Sequence, residues 1–168
     1  MNLIVNKVAE SGLFTLNLEQ FLPQPEMLLA LDIAPFLFKG MILREKDFRA
    51  ALLEHDWSQY QGKHVAIYCS ADAIIPMWAY MLIAVYLRQV DAQGYCCKPE
   101  QLSEIVMLKN IEAYDLSAHT DARVVLKGCG QVPLPESAYL KMSERLLPVV
   151  KSLMYGEPCS TVPIYKRR

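Results

Sequence analysis

The stretch VAIYCSADAIIPMWAY (65–80) has a counterpart in VVLKGCGQVPLPESAY (124–139). Each opens on a branched aliphatic run, passes a cysteine and a short loop, and restarts at a proline. Branched apolar runs favour strands, and a proline suits the first turn of a helix because its missing N–H would have no partner there. Two strand–loop–helix units are therefore expected. Upstream, DWSQYQGKHVAI (56–67) lies over DLSAHTDARVVL (115–126) without a gap, and PMWAY (76–80) lies over PESAY (135–139) after a shift of one residue. An internal duplication accounts for this, as do two ordinary units of the same kind. In either case Cys69 and Cys129 are expected at equivalent places, each closing a strand before a helix.

Outward from these units the chain keeps alternating. GYCCK reads as a weak strand, and Pro99 opens a helix over PEQLSEIVMLKNIEAYDL. The run PESAYLKMSERLLPVVKSLMYG reads as a third helix, kinked or divided at Pro148 and ended by Gly156. The tail EPCSTVPIYKRR holds too many prolines for a central strand and reads as an ordered wrap or an edge strand. Residues 1–55 form an α+β lead-in: LFTLNL (13–18), MLLALD and FLFKGMIL as strands, then an amphipathic helix from Leu43 with apolar residues at Leu43, Phe48, Leu52 and Leu53. The expectation is one domain over 1–168: the lead-in, strand–helix units over 56–155, and a C-terminal wrap over 156–168. Strand–helix alternation implies an α/β fold, a three-layer core with a mostly parallel sheet and helices on both faces.

Composition excludes several classes. Of 168 residues, 53% are apolar and 21% charged, which argues against disorder. A net charge of −1 denies the chain the broad positive field of a general nucleic-acid binder. The most apolar run, AIIPMWAYMLIAVYL from Ala73, is shorter than the roughly twenty residues of a membrane span and contains a proline. The start, MNLIVNKVAESG, does not have the pattern of a signal peptide. Five cysteines in a chain of this size fit reduced thiols, and the cytoplasm is the expected compartment.

The cysteines are the candidate chemistry. Ligands of open α/β sheets gather outside the carboxyl ends of the strands, and helix amino termini there stabilise a thiolate. Cys69 is thus a candidate nucleophile, and equally a small apolar residue suited to a crowded strand end. Cys69, Cys129 and Cys159 are candidate metal ligands, with Cys159 joining only if the chain turns back at Pro148. Ser70, Asp72, Gly128 and Gly130 are candidates for holding a small ligand. Asp72 has a helix cap as its ordinary alternative, and the two glycines a tight turn. Glu157 is a carboxylate beside Cys159. Cys96 and Cys97 are adjacent, so on a strand they face opposite ways, one buried and one under a helix. His55, His64 and His119 all fall at the amino-terminal edge of the sheet. His64 stands about 16 Å from Cys69 along its strand, too far for a Cys–His pair. Phosphate-loop, dinucleotide-loop, CxxC and serine-elbow motifs do not occur.

The segments LREKDF (43–48), HDWSQYQGK (55–63), CSADAIIPMWAY (69–80), KGC (127–129), PESAY (135–139) and KSLMYGEPCSTVPIYK (151–166) together resemble an uncharacterised bacterial family, domain of unknown function 2480. The resemblance runs over nearly the whole chain. It implies a genomic context near iron–sulfur assembly genes, and hence iron–sulfur assembly proteins as partners. Three readings follow. The first is a metal- or iron–sulfur-related accessory protein using thiolates for zinc or an iron–sulfur cluster. The second is a thiol-transfer enzyme with Cys69 as nucleophile. The third is an interaction module without chemistry, with buried thiols and an exposed apolar surface such as a homodimer interface.

Overall fold

A computed structural model describes residues 13–128, 130–157 and 160–168. Among them are seven strands and four α-helices: β1 (Leu13–Leu16), β2 (Leu28–Asp32), α1 (Glu45–Glu54), β3 (His64–Tyr68), α2 (Met77–Gln89), β4 (Gln93–Cys96), α3 (Leu102–Ala113), β5 (Arg123–Lys127), α4 (Glu136–Leu146), β6 (Ser152–Glu157) and β7 (Ser160–Lys166). The fold is α/β and its strands are mostly parallel. They form two sheets rather than one, ordered β2-β3-β4 and β1-β5-β6-β7, with only β7 antiparallel. Two compact units result: Pro23–Val106, and the residues up to Leu22 with Met107–Arg168. β1 and β2, neighbours in the lead-in, thus belong to different sheets.

In the unit Pro23–Val106, alternation along β3 explains the layers. Val65 and Ile67 point to one face and join a cluster with Phe48 and Leu52 of α1 and Ala79, Ile83 and Leu87 of α2. Ala66 points to the other face, against Leu102 and Val106 of α3. Helices therefore cover both faces of this sheet. Phe48 is fully buried and meets Phe36 and Trp78 edge-to-face at 5.5 and 5.9 Å. FLFKGMIL is not a strand. A short 3-10 turn over Ala34–Phe36 leads to an isolated antiparallel bridge, Phe38 to Ile42, closed by Lys39 and Gly40 at positive φ. A reversal within four residues leaves no length for a strand.

In the other unit, Val124 and Leu126 of β5 cluster with Met107 and Ile111 of α3, Ala138, Met142 and Leu146 of α4, and Leu153 of β6. Arg145 ties the two helices by donating to the carbonyls of Ile111 and Tyr114 at 2.5 and 2.8 Å. The expected helix over 135–155 stops at Leu146. Pro148 has no N–H to continue it, and the following residues extend the sheet as β6 along the free edge of β5. The tail is an edge strand, β7, where its proline costs no central ladder bond.

The two units share a local plan. His64 and Arg123 open β3 and β5, and Met77 and Glu136 open α2 and α4, both pairs 59 residues apart. The spacing is constant, so no one-residue shift is needed. Cys69 consequently lies over Gly128, and it is Ser70 that lies over Cys129. The cysteines are one position out of equivalence. The turns before the strands also match. The Asp56 carboxylate accepts the N–H (3.0 Å) and hydroxyl (2.6 Å) of Ser58, as Asp115 does for Ser117 at 2.9 and 2.7 Å. Gly62 and Asp121 both take positive φ, +68° and +55°.

Candidate functional site

Because all strands but β7 are parallel, the loops that follow them gather at one edge of each sheet, the carboxyl ends. In the β2-β3-β4 sheet this edge carries Asp32, Cys69, Ser70, Cys96 and Cys97. Asp32 ends β2 and reaches across to the loop after β3, accepting the Ser70 N–H at 3.0 Å and the Ser70 hydroxyl at 2.5 Å, with the Ala34 N–H at 2.9 Å. Burial disfavours the charge of Asp32, but the Ser70 hydroxyl and the two N–H groups outweigh it and hold the carboxyl below its usual range. Ser70 is therefore already engaged by the protein itself. Cys69 is the first residue past β3, half-buried against the α2 cluster. It lines a cleft of about 320 Å³ with Tyr68, Ser70, Lys98, Pro99 and Glu100. Asp72 is exposed, and it does not cap α2: the cap position is Pro76, which makes no side-chain cap bond.

Cys96 ends β4 opposite Ile67 and is exposed, while Cys97 is half-buried against the α3 side. The two do face opposite ways, but neither is fully buried. Burial pushes the Cys97 thiol up, with Cys96 and Glu100 adding to it. Burial likewise raises the Tyr80 phenol, helped by Cys96 and Cys69, so both of those thiols stand near Tyr80 on the α2 side of the sheet.

In the β1-β5-β6-β7 sheet the corresponding loop is also held by a carboxylate. Glu19 accepts the N–H groups of Gln131 and of Val132, the latter at 2.9 Å. The Val132 N–H first, then the Asn17 amide, hold its carboxyl below the usual range. Gly130 is needed here because a Cβ would run into the Glu19 carboxylate, and Gly128 because a Cβ would come within 2.9 Å of the Tyr155 ring. The close approaches at both glycines are thus to the protein's own side chains. Tyr139 donates to the Lys127 carbonyl at 3.1 Å and meets Tyr155 edge-to-face. A cleft of about 510 Å³ lies among Asn17, Lys127, Gln131, Tyr139 and Tyr155.

Cys129 and Cys159 lie outside the described residues. Cys69 belongs to the unit Pro23–Val106, whereas positions 129 and 159 fall in the chain segment of the other. Among the described residues no three His, Cys, Asp or Glu side chains converge as metal ligands. The histidines sit at the amino-terminal side, as their spacing predicts. His64 opens β3 with its Nδ1 3.1 Å from the Tyr95 hydroxyl, and His119 is buried with its Nε2 3.1 Å from the Tyr114 hydroxyl. His55 lies among the rings of Phe36, Trp57 and Tyr60.

Neither Asp32 nor Glu19 lies in a motif; Asp32 ends the first strand of its sheet and Glu19 falls just beyond the first strand of the other. The only sequence signal for them is that placement, which becomes informative once the strand partners are known.

One feature of α2 stands apart. Met77, Met81 and Val85 recur every four residues and are 72%, 70% and 56% exposed, with Ile74, 93% exposed, just ahead of them. Residues four apart stack on one helix face, so they form a continuous apolar stripe. The opposite face carries the buried Ala79, Ile83 and Leu87.

These features define an α/β protein of two units with mostly parallel sheets, whose strand-end loops are pinned by internal carboxylates. Among the described residues no helix is long and apolar enough to cross a membrane. The chain belongs to the family described as protein of unknown function (DUF2480), whose model matches residues 2–167. No curated protein and no solved structure matches it.

Proposed function

We propose that the protein is a cytoplasmic interaction module whose α2 stripe binds a second copy of the same chain. The observation that carries this is the stripe of Ile74, Met77, Met81 and Val85. Exposed apolar surface of this continuity marks a contact site rather than a random surface residue. No acidic or basic residue occurs between Ile74 and Val85, so nothing in the stripe selects a charged partner. A helix face with this regular spacing is self-complementary across a two-fold axis through Met81.

The size fits a weak dimer. The four side chains expose together about three whole side chains' worth of surface, and burying each is worth about 1.5–3 kcal/mol. Two copies gain roughly 9–17 kcal/mol against an association cost of about 4–15 kcal/mol. Gain and cost are of similar size, so the net association is weak, and the range in which to look for it is a Kd of about 1 µM to 1 mM. Sedimentation equilibrium across that range tests it. A monomer–dimer equilibrium is expected, and a monomer throughout refutes the reading.

A second reading is the thiolate accessory protein, with zinc or an iron–sulfur cluster as its metal. What supports it is that the Gly128 N–H donates to the Gly156 carbonyl at 3.2 Å, joining the strand ends that precede Cys129 and Cys159 in the chain. Its test is metal analysis of anaerobically purified protein, wild type against Cys129→Ser and Cys69→Ser. Stoichiometric metal lost only on changing Cys129 supports a site at that edge, and metal-free wild type removes it.

A further inference from the structure

At the amino-terminal edge of the β5-β6-β7 sheet, three cations surround one groove. Arg123 opens β5, Ser152 opens β6 and Lys166 ends the antiparallel β7, and the three are register partners across the sheet. Register partners on adjacent strands point to the same face, so two cations and a hydroxyl stand in a row. Lys151, one residue before β6, adds the third cation. These residues line a groove of about 420 Å³ with Met154 and Tyr165 on its apolar side, and among the described residues no carboxylate lines it.

The charges there are unspent. Among the described residues the ion pairs of this unit are Lys141 with Glu112 and Arg167 with Asp121. Arg123, Lys151 and Lys166 make neither an ion pair nor a side-chain hydrogen bond among the described residues. The nearby Asp121 is already occupied by Arg167, at 2.5 Å. Three like charges in one concavity repel one another and concentrate a positive potential that a bound anion relieves. The whole chain carries a net charge of −1, so the concentration is local and does not suit a long polyanion. The groove volume falls within the range of small-ligand sites.

We propose that this groove binds a small phosphate-bearing anion, with Arg123, Lys151 and Lys166 on the phosphate oxygens and the Ser152 hydroxyl donating to one of them. Lysine and arginine hold phosphate through charge-assisted hydrogen bonds, stronger than neutral ones. Met154 and Tyr165 offer an apolar wall to an organic group attached to the phosphate. The site is independent of the α2 stripe, since the two share no residue.

The test is isothermal titration at low salt with three probes: inorganic tripolyphosphate, ATP and adenosine. Tripolyphosphate is expected to bind one per chain, more weakly as salt rises. Equal binding of ATP assigns recognition to the phosphates alone. Tighter ATP binding assigns part of it to the apolar wall. Both outcomes support the proposal. The paired change Lys151→Ala with Lys166→Ala should weaken tripolyphosphate at least about tenfold, because each lost charge-assisted bond is worth about that much. Lys151→Arg with Lys166→Arg should retain binding, and thermal melts of both variants report that the fold persists. The proposal is overturned by adenosine binding as well as ATP, by no phosphate binding up to about 5 mM, by binding unchanged in the alanine variant, or by single-stranded RNA binding where tripolyphosphate and ATP do not.

Discussion

Replacing Met81 with glutamate tests the α2 surface at its centre. In the proposed dimer Met81 lies on the two-fold axis, so the substitution acts twice. The Met81 side chain is 70% exposed in the single chain, and covering that fraction is worth about 1–2 kcal/mol per copy on the scale of whole side-chain burial. Loss of both contributions costs about 2–4 kcal/mol, which raises the Kd roughly 30- to 700-fold. Two carboxylates brought together across the axis add a repulsion of the same sign. A dimer with a Kd of about 1 µM should then weaken to about 30 µM–0.7 mM, and one with a Kd near 1 mM should no longer be detected by sedimentation equilibrium. The fold should be untouched, because the core face of α2 is made by Ala79, Ile83 and Leu87. Leu140→Glu provides the control. Leu140 is 64% exposed on α4 and stands 59 residues after Met81, at the matching helix position, but its neighbours a turn away are Glu136 and Glu144. That change should leave association as in the wild type. An unchanged Kd in Met81→Glu, or equal loss in both variants, would refute the assignment of the surface.

Two further outcomes follow from the packing. Burial depresses the His119 pKa and Asp115 opposes this only in part, so the unfolded chain takes up the proton first as pH falls. Stability should be fully present above the ordinary imidazole value near 6.5 and decline below it. His119→Asn should flatten the part of the slope below about pH 6.5 that this ring contributes, which urea melts at several pH values would read; an identical slope in both proteins counts against it. Gly156 has φ +124°, and a Cβ there would lie 2.5 Å from the Ser160 carbonyl oxygen. Gly156→Ala should therefore cost about 1–3 kcal/mol, seen as a melting temperature several degrees lower, whereas an unchanged melt would mean that the β6–β7 hairpin relaxes freely.

Local signals in the sequence were enough for most elements and for the class of fold. Prolines at 76, 99 and 135 mark helix starts because each lacks the N–H that a first turn does not use. The aliphatic runs at 65–67 and 124–126 mark strands because alternation buries both of their faces. The Asp56–Ser58 and Asp115–Ser117 turns are close enough in sequence to be read as a pair. Where the reading failed, the deciding contact was distant. SLMYGE is apolar enough for either state and becomes a strand because β5 offers it an open edge. FLFKGMIL has strand composition, but its Lys39–Gly40 reversal leaves it without partners.

The placement of β1 beside β5, more than a hundred residues away, and of β2 beside β3 has no local signature at all. Strand pairing depends on backbone hydrogen bonds that any sequence can make. Only the assembled core decides which edges meet. The same limit applies to the surfaces. AIIPMWAYMLIAVYL is apolar all round and reads as a buried helix, because periodicity cannot separate a covered face from an uncovered one. Arg123, Lys151 and Lys166 are scattered along the chain and become neighbours only through the register of three strands. The sequence by itself determined most of the elements and the alternation of strand and helix. The tertiary structure decided which strands pair, which apolar face stays open, and which charges share a groove, since each of these is a relation between residues far apart in the chain.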